Sequence, residues 1–152
     1  APLPCQYTNL CAVCQAQLRI MKVRYPKPGI VYKGAIPVAE IALNTSDKYL
    51  TILISALLGN AYKFTQEGTI SLECDRLGDD RVFVAVADTG CGIPPEKHGY
   101  VFERFTKLDP FSQGNGLGLY LCRLIVTHLH GEIYIDSGYT GGTRIVAILP
   151  RR

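Results

Sequence analysis

The sequence predicts an α/β (α+β) fold, a two-layer sandwich in which a mixed, mostly antiparallel sheet carries helices on one face. Three stretches repeat their apolar residues at helical spacing, and about five others alternate or run apolar over strand lengths. Glycine-bearing turns at Leu77-Gly78-Asp79-Asp80 and across Gly138, Gly141 and Gly142 join neighbouring strands, as antiparallel hairpins require. A chain of 152 residues can bury one good core and is short for two, so a single unit over 1–152 is expected.

Residues 1–7 begin proline-rich and are expected to be a flexible lead-in. Thr8 or Asn9 can cap a helix to about Met21, with Leu10, Val13, Cys14, Gln17, Leu18 and Met21 as its buried stripe. Pro26, Pro28 and Gly29 end it. Ile30 to Ala35 reads as a strand, Pro37 breaks it, and Ala39 to Leu43 reads as a shorter one. Thr45-Ser46-Asp47 caps the longest helix, to about Phe64, where Leu50, Leu53, Leu57, Ala61 and Phe64 recur at helical spacing. Thr69 to Asp75 alternates as a strand, and the hairpin turn leads into the apolar run Val82 to Ala87. Pro94 to Asn115 lacks periodicity, and a stretch of that length in a compact domain is expected to be a lid. A helix begins near Gly116, with Leu117, Leu121, Leu124, Ile125 and His128 on one side and Gly131 as its C-terminal cap. Glu132 to Ser137 and Thr143 to Leu149 close the sheet.

Composition excludes several classes. A net charge of +3 with scattered basic residues gives no nucleic-acid surface. The most apolar stretch, Leu50 to Leu58, contains Thr51 and Ser55 and is far shorter than the roughly 20 residues a membrane helix needs, so no membrane contact is expected. The six cysteines do not need to form a disulfide framework in a chain with so strong a core. Cys11-x-x-Cys14 has no second pair and no nearby histidine, so packed thiols are expected there rather than a metal site. Cys74 and Cys122 fall on apolar faces, and a reducing, cytoplasmic setting follows. His98, His128 and His130 read as surface or helix-end residues. The first residue is Ala1, and an excised piece of a larger protein is expected.

Chemistry concentrates between Asp88 and Leu121. The apolar run ends abruptly at the Asp88 carboxylate, and Gly90 and Gly92 are expected to turn the backbone with positive φ. A second glycine cluster, Gly114-Asn115-Gly116-Leu117-Gly118, opens a helix whose free N–H groups and dipole suit phosphate. A carboxylate that accepts from an amine at one end and a phosphate cradle at the other describe a nucleotide. On the long helix, Asn60 lies at the edge of the buried stripe, where its amide oxygen suits Mg²⁺, and Lys63 adds positive charge toward the same phosphates.

Four stretches in order carry a family resemblance. Leu57-Leu58-Gly59-Asn60-Ala61-Tyr62-Lys63-Phe64-Thr65 resembles the N box of sensor histidine kinases, and Asp88-Thr89-Gly90-Cys91-Gly92-Ile93-Pro94 their G1 box. Phe102-Glu103-Arg104-Phe105 is similar to the F box, Gly114 to Leu119 to the G2 box, and Gly142-Thr143-Arg144 to the family's closing Gly-Thr. The chain thus resembles the catalytic, ATP-binding domain of histidine kinases, in the superfamily with gyrase, Hsp90 and MutL. The resemblance implies the Bergerat ATP-binding fold, ATP and Mg²⁺ as ligands, and a lid over 94–115.

It also implies roles. Asp88 would accept from the adenine amino group, with Gly90, Gly92 and Ile93 shaping that end and Thr143 supporting it by hydrogen bonding. Asn60 would hold Mg²⁺, and Lys63 and Arg104 would serve the phosphates. Gly114, Gly116, Leu117, Gly118 and Leu119 would wrap the triphosphate, and Phe102 and Phe105 would anchor the lid. The implied reaction moves the γ-phosphate of Mg·ATP to a histidine in a separate dimerisation domain of a two-component sensor kinase. A response-regulator receiver domain lies downstream, and the cytoplasmic part of a membrane-bound sensor is one setting. Two departures bear on this. The acceptor histidine and its helical hairpin are absent, so the chain alone is expected to be inactive in transfer. Position 56 is Ala, where the family commonly has Asn and the superfamily's ATPases have Glu. A regulatory nucleotide-binding module without phosphotransfer, or an ATPase, are the alternatives, and Ala56 disfavours the second because a methyl group cannot act as a base.

Overall fold

The computed structural model describes residues 6–103 and 118–152. Its first element is a strand, β1 (Gln6–Asn9), which takes in two residues expected in the lead-in. Asn9 ends it and caps α1 (Leu10–Arg24): its Oδ1 accepts from the Cys11 N–H at 3.1 Å and from the Ile41 N–H at 3.3 Å. One amide therefore satisfies an orphan donor of the helix and pins a distant loop. β2 (Ile30–Ala35) follows, then β3 (Ala42–Thr45), which lies three residues further along at its start than the predicted Ala39. β3 exists because β1 pairs with it, antiparallel, from Gln6↔Thr45 to Asn9↔Ala42.

α2 (Asp47–Phe64) has the predicted bounds, and the Ser46 hydroxyl accepts from the Tyr49 N–H at 3.3 Å as its cap. Leu50, Leu53, Ile54, Leu57 and Leu58 are fully buried along it. At roughly 1.5–3 kcal/mol per buried large aliphatic side chain, this stripe is a main anchor of the core. β4 (Gly68–Leu77) and β5 (Arg81–Asp88) form the predicted hairpin. After a 3-10 turn at Pro95–Lys97 and the residues outside the description come α3 (Gly118–His128), β6 (Glu132–Ile135) and β7 (Thr143–Pro150).

The main sheet runs β2-β4-β5-β7-β6, with β2 parallel to β4 and every other pair antiparallel. The three helices bury their apolar faces against one side of it, where Ile70, Leu72, Cys74, Val82, Val84, Val86, Ala147 and Leu149 join the same core as the helix residues. On the other side Ala85, Val146 and Ile148 pack with Leu77 and Phe83, and Arg144 bridges Glu73 and Asp136, at 3.0 Å each. Beyond β7, Arg151 ties the small ribbon to the β4–β5 turn. Its carbonyl accepts from Asn44, its N–H donates to Asp80, and its guanidinium reaches the Ala42 and Asp79 carbonyls. No helix among the described residues is long and apolar enough to cross a membrane.

Two sequence expectations fail at α3. Leu121 and Leu124 are 41% and 38% exposed, while Leu119, Cys122, Ile125, Val126 and Leu129 are buried. The helix is apolar nearly all round, so periodicity alone could not choose its inner face. Its end also differs. His130, at φ 63°, is the left-handed residue, and the helix closes by His130 N–H to Thr127 and Gly131 N–H to Val126 bonds. Gly131 is needed for a different reason: a Cβ there would collide with the Ile148 carbonyl. His130→Gly should therefore stabilise the chain by about 1 kcal/mol, since it removes a strained left-handed side chain. Gly131→Ala should destabilise it by roughly 1–3 kcal/mol through overpacking. Urea unfolding of the two variants checks both signs.

The cysteines sit as expected. Cys11, Cys14, Cys74 and Cys122 are buried and free, and Cys91 is exposed and free. Burial pushes the Cys11 thiol up to about 11 and the Cys122 thiol up to about 12. The neighbouring Cys14 thiol first, and burial second, push Cys74 well above the ordinary thiol range.

Candidate functional site

The site is assembled where β5 stops. Val82, Val84 and Val86 lock the strand into the core, so Asp88 arrives at its end between Ile70 of β4 and Thr143 of β7, its direct partners in register. The carboxylate is only 4% exposed. Burial raises its pKa; the main-chain N–H groups of Gly90 and Thr143 and the Thr65 hydroxyl oppose that rise. The Gly90 N–H donates to Asp88 Oδ1 at 2.9 Å.

A recess opens beside this carboxylate. It is lined by Asp88 and Thr143 of the sheet, by Cys91, Gly92, Ile93 and Pro94 after β5, and by Asn60 and Phe64 of α2. Of the predicted site residues, Asn60, Asp88, Gly92, Ile93 and Thr143 therefore meet in one place. A shallower adjoining depression runs from Gly90 to Pro94 and across to Gly141 and Gly142. Asp88 is the sole carboxylate lining either one among the described residues.

The glycines here answer to space as much as to φ. Gly92 has the expected positive φ, at 77°, but Gly90 does not. Gly90 is required because a Cβ would strike the Phe64 carbonyl at the end of α2. Gly142, at φ 155°, lies so close to the Asp88 carbonyl that a Cβ could not fit. These two contacts clamp the Asp88–Gly92 turn between α2 and the β6–β7 loop.

The other predicted residues lie elsewhere. Lys63 is exposed and its Nζ stands 5.4 Å from the centre of the Phe64 ring, outside the recess. Gly118 begins α3 at the surface, and the Leu119 side chain belongs to the core. Arg104, Phe105, Gly114, Gly116 and Leu117 lie outside the described residues. At the start of the predicted lid, Val101 and Phe102 are buried, as expected of an anchor, and His98 Nε2 lies 2.8 Å from the Ile93 carbonyl.

Sequence reasoning missed three residues. Tyr139 donates its hydroxyl to the Asp88 carbonyl at 3.3 Å, from a loop with no periodicity to flag it. Thr65 stands fully buried beside the Asp88 carboxylate. Cys91 is exposed on the wall of the recess. A maleimide should label Cys91 first among the described cysteines under native conditions, and occupancy of the recess should slow that labelling at least about ten-fold, because only the thiolate at an open site reacts. Peptide mapping of briefly labelled protein, with and without ligand, reads this directly.

No group of three or more His, Cys, Asp or Glu side chains among the described residues could hold a metal ion. The recess instead offers one side-chain amide, Asn60, among its lining residues. A hard cation carried in with a phosphate ligand fits such a site, because the ligand and water supply most of its oxygens.

A family profile described as "Histidine kinase-, DNA gyrase B-, and HSP90-like ATPase" matches residues 45–152, which contain the whole recess. The chain belongs to this family. Among curated relatives of this ATPase-like domain, the adaptive-response sensory kinase SasA of Gloeothece citriformis is 33% identical over 155 residues, covering 99% of the chain and 39% of that kinase. The chain thus spans about two-fifths of the length of that relative. Two solved structures share the fold. Full-length ShkA in complex with AMPPNP superposes with TM-score 0.85 at 24% identity, over 99% of the chain and 32% of ShkA. The nucleotide-free catalytic domain of histidine kinase ThkA superposes with TM-score 0.87 at 21% identity, over 98% of the chain and 97% of that domain.

Proposed function

We propose that the chain is the ATP-binding catalytic domain of a two-component sensor histidine kinase, which donates the γ-phosphate of Mg·ATP to a histidine in a separate dimerisation domain. The observation that carries this reading is the nearly buried Asp88 lining one recess together with Asn60. A buried carboxylate held by main-chain donors suits an exocyclic amine, and an ionised acceptor makes that bond stronger than a neutral one. Thr143, directly across from it, supports the same end, and Gly90, Gly92 and Ile93 shape it. Asn60 would hold Mg²⁺, which supplies charge neutralisation at the phosphates. Lys63 and Arg104 would serve the phosphates, and Gly114, Gly116, Leu117, Gly118 and Leu119 would wrap them. Residues 94–115 form the lid, and the whole of 1–152 acts as one domain.

The chain's own residues bind and orient ATP, and the acceptor histidine comes from the partner domain. Catalysis is then chiefly positioning and electrostatics. The downstream partner is a response-regulator receiver domain, and the setting is the cytoplasm. The deciding experiment mixes the purified chain with its parent's acceptor domain and γ-labelled Mg·ATP. Acid-labile, base-stable label on the acceptor is expected. Tight Mg·ATP binding with no transfer to a folded acceptor would favour the regulatory module instead.

A further inference from the structure

The structure assigns a role to Thr65 that no motif reading gave it: we propose that its hydroxyl is a positioning group for Asp88, donating to the carboxylate and thereby fixing the purine specificity of the recess. The inference rests on the reading of Asp88 as acceptor for the adenine amine.

Thr65 follows directly on α2 and is fully buried. It stands close enough to the Asp88 carboxylate to favour its charged form, yet it makes no directed hydrogen bond in the resting structure. A buried hydroxyl without a partner is costly, and such groups are rare unless they serve a purpose. The Asp88 carboxylate is an acceptor beside it. An atom added at Gly90 would sit 3.0 Å from both Asp88 Oδ1 and Thr65 Oγ1, so the two oxygens flank the same glycine. A hydroxyl hydrogen turns to suit its acceptor, so the donor can be directed at the carboxylate.

Thr65 is itself held in place. Its carbonyl accepts from Lys27 Nζ at 3.1 Å, and Lys27 in turn lies 4.7 Å over the Tyr62 ring. On the other side, Gly90 rests on the Phe64 carbonyl. The hydroxyl is therefore delivered from a fixed backbone. This matters because the carboxylate torsion of Asp is broad, and its main-chain donors are the Gly90 and Thr143 N–H groups. A side-chain donor from the end of α2 adds a further restraint on the plane and leaves the remaining acceptor capacity facing the recess. A carboxylate with a fixed plane accepts well from an amine and repels a carbonyl at the same place.

The test compares Mg·ATP with Mg·ITP, which differ at the purine amine, by calorimetry on the full chain. Thr65→Val keeps the shape and removes the donor. It should weaken Mg·ATP about ten-fold while changing Mg·ITP by less than about two-fold, and Thr65→Ser should restore native preference. Thr65→Ala removes the same donor without adding an atom and carries the same expectation if valine is not accommodated. A merely structural threonine would weaken both nucleotides together. A native preference for Mg·ATP that Thr65→Val retains overturns this inference and leaves the reading of Asp88 standing. Equal binding of the two nucleotides by the native chain removes both.

Discussion

Asp88→Asn should bind Mg·ATP on the order of 100-fold more weakly than the native chain, because a charge-assisted acceptor is lost and an amide can present its donor to the adenine amine. The same variant should fold at least as well. Burial holds the native carboxyl above its ordinary value. Between the unfolded and folded values the native state binds more protons, so this group's contribution to stability falls as pH rises through that interval. Asparagine does not titrate. The melting temperature of Asp88→Asn relative to the native chain should therefore rise from acid toward neutral pH. Calorimetric titration with ATP, and melting curves at two pH values, together separate loss of function from loss of structure. Native affinity in Asp88→Asn would end its assignment to the adenine.

The second large effect is a separation of binding from hydrolysis. Ala56 sits one turn before Asn60 and is half-buried against the core. In the superfamily's ATPases a glutamate at the matching position takes a proton from water, and a general base of this kind contributes about 10²–10⁴-fold in rate. Among the described residues the only carboxylate lining the recess is Asp88, which is proposed to serve the adenine end. The chain should bind Mg·ATP and release phosphate at a rate lower than such an ATPase by that order. Ala56→Glu need not restore turnover, because the water must also be placed. Steady-state phosphate release at saturating Mg·ATP decides the matter. Vigorous turnover that vanishes in Asn60→Asp or Asp88→Asn would hand the site to an ATPase.

Much of this site was legible because its parts are punctuated locally. An apolar run that stops at an aspartate, followed by glycines, announces itself, and Asn60 stands out in a stripe of leucines. Such signals need no knowledge of what lies across the fold. Most of the misses are long-range. β1 is only four residues and is stabilised by β3, some forty positions away, so no local pattern could predict it. Gly90 was expected to matter for its torsion, and its actual constraint is the Phe64 carbonyl. Leu121 and Leu124 satisfied a helical period and yet face outward, because α3 has more apolar residues than one face can hold. Thr65 and Tyr139 acquire meaning only when three elements converge on Asp88.

The small ribbon has a mechanical side. β1 grips β3 through four residue pairs, and β3 in turn is bonded through Asn44 and Ala42 to Arg151. Arg151 also follows directly on β7 and donates its N–H to Asp80 in the β4–β5 turn, so the ribbon splices the start of the described chain onto the sheet whose middle strand ends at Asp88.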